Sequence, residues 1–204
     1  MKKQIHLSSA YLAPVQYYSK IAHAEKIFIE RYDHYIKQTY RNRCIIAGAD
    51  GPEQLTIPVE RESGKKILMK DVRISAHGNW RHNHWNALVA AYGASPYFEF
   101  YADDFQKIYE KKQKYLCDFN EELARMILDN LNIEAHIEFT TEYKAETDND
   151  YRDIIHPKKD SREYDPEFDA RKYYQVFDDK YPFLPNLSIV DLMFNMGPES
   201  VLYL

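Results

Sequence analysis

The sequence predicts an α/β fold: a single domain with a mixed, partly parallel sheet, helices packed on it and a helical C-terminal part. Three observations predict it. The first thirty residues read strand, helix, strand, the order that yields a parallel pair. The middle of the chain carries apolar residues at three- and four-residue spacing, the period of amphipathic helices. The chain then closes on an apolar helical run after Pro185-Asn186. A length of 204 residues suits one domain, on a prior of roughly 150 residues per domain. Chains of this size bury roughly 70–75% of their unfolded surface.

The elements follow in order. Gln4 to Ser8 is the opening strand. Pro14 starts a helix, since its missing N–H is not needed in the first turn, and Val15, Tyr18, Ile21 and Ala22 recur near helical spacing. Ile27-Phe28-Ile29 is a short buried strand after a charged pair. Residues 35–43 are basic and aromatic. Cys44 to Ala47 is a strand, turned by Gly48-Ala49-Asp50-Gly51-Pro52 into an alternating strand over Gln54 to Val59, a hairpin-like pair. Glu60 to Lys66 is a charged loop, and Ile67 to Ser75 holds a further strand. Trp80 to Tyr92 is a helix with Trp80, His84, Leu88 and Ala91 on one face and Gly93 as its stop. Pro96 opens a second helix carrying Phe105, Ile108 and Tyr109. Asp118, with Glu121 three residues on, caps a third, whose stripe is Phe119, Leu123, Met126, Ile127 and Leu131. Ala135 to Tyr143 is a strand. Residues 144–170 are highly charged and poor in aliphatics; a stretch this long without obvious structure is a lid or a mobile loop. Tyr173 to Asp179 is a short helix, and Asn186 caps the last helix, over 187–194.

Composition excludes several classes. Hydrophobic residues make up 45% and charged residues 29%, which excludes wholesale disorder, collagen and an integral membrane protein. A net charge of −5 lacks the electrostatic footprint of a general DNA binder, so no nucleic-acid partner is expected. Cys44 and Cys117 are far apart and outside any C-x-x-C pair, which speaks against a disulfide framework or a zinc site. The run after Met1-Lys2-Lys3 is too polar for a signal peptide, and no segment approaches 18 apolar residues. The expectation is a cytoplasmic protein without membrane insertion.

The common chemical motifs are missing: G-x-G-x-x-G, the Walker phosphate loop, G-x-S-x-G and H-E-x-x-H. Three clusters remain. Lys37-Gln38-Thr39-Tyr40-Arg41-Asn42-Arg43 sets cations beside amides and rings, a grip for phosphate or carboxylate, or a solvated surface segment. In Arg81-His82-Asn83-His84 the two histidines diverge on a helix and share no metal. His84, on the apolar stripe, is either a hydrogen-bonded core histidine or a general base lining a cleft. In Asn186-Leu187-Ser188-Ile189-Val190-Asp191 the carboxylate lies among apolar neighbours and needs partners; it orients a His, holds a basic residue such as Arg43, or serves a structural pairing. His6 beside Ser8 and Ser9 allows a Ser/His pair to be drawn. The 18 Tyr, ten Phe and two Trp suit sugar or base stacking, or an aromatic core.

Read in order, these segments resemble the WbqC-like protein family. The resemblance runs through Tyr11-Leu12-Ala13-Pro14-Val15-Gln16-Tyr17-Tyr18, Ile27-Phe28-Ile29-Glu30, Lys37 to Arg43, and Leu55-Thr56-Ile57-Pro58-Val59. It resumes at Trp80-Arg81-x-x-His84, Tyr92-Gly93-x-x-Pro96-Tyr97-Phe98 and Pro185 to Pro198. Many members carry a His four residues before the first Tyr; that position here is Leu7, and His6 points to the other face of a strand. The resemblance implies a bacterial cytoplasmic protein and a transferase, acyl or aminoacyl, acting on an activated, nucleotide- or lipid-linked sugar in surface-polysaccharide biosynthesis. On that reading Lys37, Arg41 and Arg43 bind phosphate or carboxylate, Tyr11, Tyr40 and Asn186 line the pocket, His84 is the base and Asp191 orients it. The rival is a binding module that presents a glycan precursor or contacts a protein. The residues name no cofactor and no metal site.

Overall fold

In the computed structural model β1 (Gln4–Ser8) and β2 (Lys26–Glu30) pair in parallel, joined by α1 (Val15–His23). The structure describes residues 3–60 and 66–204; the charged loop predicted over Glu60 to Lys66 lies, between those two residues, outside the described ones. Pro14 sits just before α1 in extended conformation. β3 (Arg43–Gly48) and β4 (Gly51–Thr56) form an antiparallel hairpin, and Gly51 takes φ +122° at its turn, which only glycine adopts without strain. The chain is α/β as expected, with its parallel and antiparallel strands in two separate sheets.

The central stretch holds α2 (Trp80–Tyr92), α3 (Phe98–Glu110) and α4 (Leu116–Asn130). β5 (Ile137–Phe139) then joins β2 in parallel, giving the order β1-β2-β5. After the one-turn α5 (Ser161–Tyr164), α6 (Ile189–Met196) runs through the centre, every residue but Met196 buried. Its Phe194 ring contacts Tyr92, Phe98 and Phe105. A second aromatic cluster joins Tyr11, Trp80, Tyr109 and Phe119. Of the 30 aromatic residues in the sequence, 14 are buried in the core. Among the described residues no helix is long and apolar enough to cross a membrane.

Several local expectations give way to tertiary contacts. The strand predicted to Val59 stops at Thr56, because Pro58 has no N–H for a ladder. Ile67 to Ser75 is not a strand: it carries a single 3₁₀ turn at Met69–Asp71 and isolated bridges at Leu68 and Ile74. Asp118 does not cap α4. The helix starts from Tyr115, and Asp118 lies in its first turn, where a carboxylate still complements the helix dipole. β5 occupies only Ile137–Phe139 of the predicted 135–143. Tyr173 to Asp179 forms no helix, because Tyr173 and Gln175 reach for the buried Asp191 carboxylate. Ser188, not Asn186, caps α6, accepting the Val190 N–H. Within 144–170, Arg152, Ile155, Asp165 and Phe168 are buried against the rest of the protein.

Candidate functional site

α4 has two working faces. Leu116, Phe119, Leu123 and Ile127 are buried in the core. A quarter-turn away, Cys117, Asn120, Ala124 and Leu128 recur at three- and four-residue spacing and face the sheet. Short side chains on that second face leave the space between helix and sheet unfilled, and a cavity of about 540 Å³ remains. Its far wall is Ile29 of β2 and Ile137 and Phe139 of β5. This is the size of a small-molecule site, and its lining mixes apolar side chains with charged and amide ones.

Polar groups line both ends: Asp129, Asn132 and Glu134 lie before β5, and a second set lies where the parallel strands end. Ser9 follows β1, Arg31 follows β2, and both line the cavity beside Cys117 and Asn120. In open α/β sheets ligands bind at this carboxyl edge. Asn120 is fully buried and its amide donates to Ser9 Oγ (3.0 Å) and to the Arg41 carbonyl (2.9 Å). The Cys117 thiol donates to the Met69 carbonyl at 3.4 Å, and burial pushes its pKa up to about 11. Arg31 stacks on the Phe139 ring, 3.8 Å from its centre, and pairs with Glu121. The other Glu121 oxygen takes Arg125 at 2.7 Å. One carboxylate therefore serves two guanidinium groups at the rim.

The residues nominated from the sequence lie outside this cavity, and apart from Tyr11, which touches both His84 and Tyr40, they do not converge. His84 is the hydrogen-bonded core histidine: it is 6% exposed, its Nδ1 lies 2.9 Å from the Tyr11 hydroxyl, and burial lowers its pKa to about 4. Tyr11 is wholly buried, bonded also to the Tyr109 hydroxyl, and its N–H donates to the carbonyl of Tyr40. The three cations part company. Lys37 is exposed, Arg41 is buried on Asp33 at 2.5 Å, and Arg43 donates to Gln54 on the hairpin. Asp191 holds neither Arg43 nor a histidine. Its carboxylate accepts from Tyr92 (3.0 Å), Tyr173 (2.7 Å) and Gln175 (2.7 Å), and burial raises its pKa. That is the structural pairing, since three neutral donors replace the water the carboxylate loses. Asn186 takes φ +55° and accepts the Gln16 N–H. Sequence reasoning missed Ser9, Arg31, Cys117, Asn120 and Glu121 as a group. The available signal was the second stripe of α4, where small and polar residues replace the aliphatics.

The family model of the WbqC-like protein family matches residues 9–176, a span that contains every residue lining the cavity. An uncharacterized protein of Mycobacterium tuberculosis is 28% identical over 227 aligned positions, covering 100% of this chain and 98% of that one. No solved structure matches the chain.

Proposed function

The chain belongs to the WbqC-like protein family, and from that premise we propose that the α4 cavity binds one substrate of a group transfer to a sugar. The group is an acyl or aminoacyl unit, and the acceptor is an activated, nucleotide- or lipid-linked sugar of bacterial cell-surface polysaccharide synthesis. One observation carries the reading: a cavity with Ile29, Ile137 and Phe139 on one wall reaches the carboxyl ends of the parallel strands beside Ser9, Cys117 and Asn120. That wall suits the hydrocarbon part. Arg31 and Arg125, sharing Glu121, suit an anionic part such as a phosphate. In the transfer, an acceptor hydroxyl or amine bonds to the acyl carbon as the bond from that carbon to its leaving group breaks, and the departing group keeps the bond's electron pair and takes up the acceptor's proton.

A second reading, a binding module without turnover, is favoured by the polar groups at the strand ends. A thiol with a pKa near 11 is a poor nucleophile at neutral pH, and Ser9 Oγ meets an amide rather than a base. Thermal unfolding with nucleotide sugars, free nucleotides and acyl-coenzyme A tests the site first. A ligand at about 100 times its Kd adds roughly 2.7 kcal/mol, a shift of roughly 5–10 °C for this size. The shift is expected with one of these classes and is expected to vanish in Ala124→Trp, which fills the cavity. A flat panel, or a shift that survives Ala124→Trp, removes the cavity as the site. Product formation with the ligand that binds then separates transferase from binding module.

A further inference from the structure

The sheet β1-β2-β5 is closed along one edge and open along the other. After β5 the chain arches back over residues 140–148 to the far side of β1, where the His6 N–H donates to the Asn149 carbonyl and the Tyr151 N–H to the His6 carbonyl. The outer edge of β5 has no such cover. In a parallel pair, alternate residues of a strand turn their backbone groups to the neighbour. The Ile27 N–H donates to the His136 carbonyl and the Thr140 N–H to the Ile29 carbonyl, so His136, Glu138 and Thr140 are the residues that face β2. Ala135, Ile137 and Phe139 turn their N–H and C=O groups outward, and among the described residues these groups have no hydrogen-bond partner.

A free edge recruits another strand unless Pro, Lys, a bulge or a covering element prevents it. The hairpin strand β4 carries Pro52. Ala135-His136-Ile137-Glu138-Phe139-Thr140 contains no Pro, Lys or Gly. Its one carboxylate is already matched, since Glu138 meets Lys26 at 2.8 Å and His136 at 3.2 Å.

We propose that this edge pairs with the same edge of a second copy, β5 to β5 and antiparallel, so that two sheets join into one. A two-fold contact presents one patch to itself, and outward-turned residues must meet outward-turned residues. Centring on Ile137 sets Ile137 opposite its own copy and Ala135 opposite Phe139, and these pairs exchange the N–H···O=C bonds. His136 then stands opposite Glu138 of the second copy, twice, on the face away from α4. Glu134 falls opposite Thr140. Centring on Glu138 would instead oppose the two Glu138 carboxylates, and Glu134 to Glu142, like charges that destabilise a ladder. Charge complementarity therefore selects one register. On the α4 side, Arg31 and Arg125 offset Glu121 and Asp129 along the cavity lining. The pairing uses only the edge and holds whatever the cavity binds.

Sedimentation equilibrium of the full chain from micromolar to millimolar concentration is expected to show a reversible monomer–dimer equilibrium without larger species, because a two-fold contact closes on itself. His136→Glu opposes two pairs of carboxylates and is expected to weaken the dimer about tenfold. Adding Glu138→Lys restores opposite signs across the seam and is expected to recover the dimer. Melting of each variant at concentrations where it is monomeric separates folding from association. Hydrogen exchange is the second readout. The Ile137 and Phe139 amides are expected to slow only where the dimer forms, while the Ile27 amide, bonded inside the sheet, is slow throughout. A chain that stays monomeric to millimolar concentration overturns the proposal and leaves the edge to a strand of another protein. A dimer that His136→Glu leaves intact, or one in which the Ile137 and Phe139 amides stay fast, overturns it too, because the copies then meet on another face.

Discussion

His84 shows how burial alone shifts a ring's protonation. Its Nδ1 meets the Tyr11 hydroxyl at 2.9 Å, and the Tyr11 and Tyr109 hydroxyls are hydrogen-bonded to each other. Burial disfavours the charged ring and lowers its folded pKa from 6.5 to about 4. The unfolded chain therefore binds the proton first. Stability is full above the unfolded pKa and falls as pH drops through the window from 6.5 to about 4. By linkage this loses about 2 kcal/mol between pH 7 and pH 5. Urea unfolding at the two pH values is expected to show that loss in the wild type and a loss smaller by that amount in His84→Asn. Equal pH dependence in both proteins would mean the ring is not neutral and buried as described.

α4 carries the same contrast at the scale of an element. Leu123 and Ala124 are sequence neighbours, yet Leu123 is buried in the core and Ala124 lines the cavity. Leu123→Ala removes packed methyl groups and leaves a void, a cost of roughly 2–5 kcal/mol. Ala124→Leu adds methyl groups into existing space and is expected to change stability by less than about 1 kcal/mol. The measurement is the melting temperature, where each kcal/mol moves the midpoint by about 2–4 °C for a chain of this length. Comparable losses in both variants would show that the helix packs directly on the sheet.

At the scale of the molecule, the buried Glu30–Arg152 pair joins the end of β2 to a segment 122 positions later. Glu30 is 1% and Arg152 6% exposed, so removing the cation leaves a buried carboxylate without its charge partner, typically 3–5 kcal/mol. Arg152 also holds Asp150 and the carbonyl of Lys144. Arg152→Ala is therefore expected to speed amide hydrogen exchange across 141–151 well beyond any change in α3 or α4. Uniform acceleration throughout the chain would mean that the arch opens only with global unfolding.

The local order of elements was readable because it rests on short-range physics. The β1-α1-β2 opening, the α2 stripe of Trp80, His84, Leu88 and Ala91, and the core stripe of α4 each follow from the period of apolar residues within one or two turns. The failures have the opposite character. Tyr173 to Asp179 was drawn from helix by Asp191, Asn186 was drawn from capping by Gln16, and the cations of 37–43 were separated by Asp33 and Gln54. The sequence by itself determined the α/β class, the succession of elements and the family resemblance. Only the tertiary structure decided where the cavity lies, because a cavity is space left between two surfaces. Its size depends on which short side chains of α4 meet which strands.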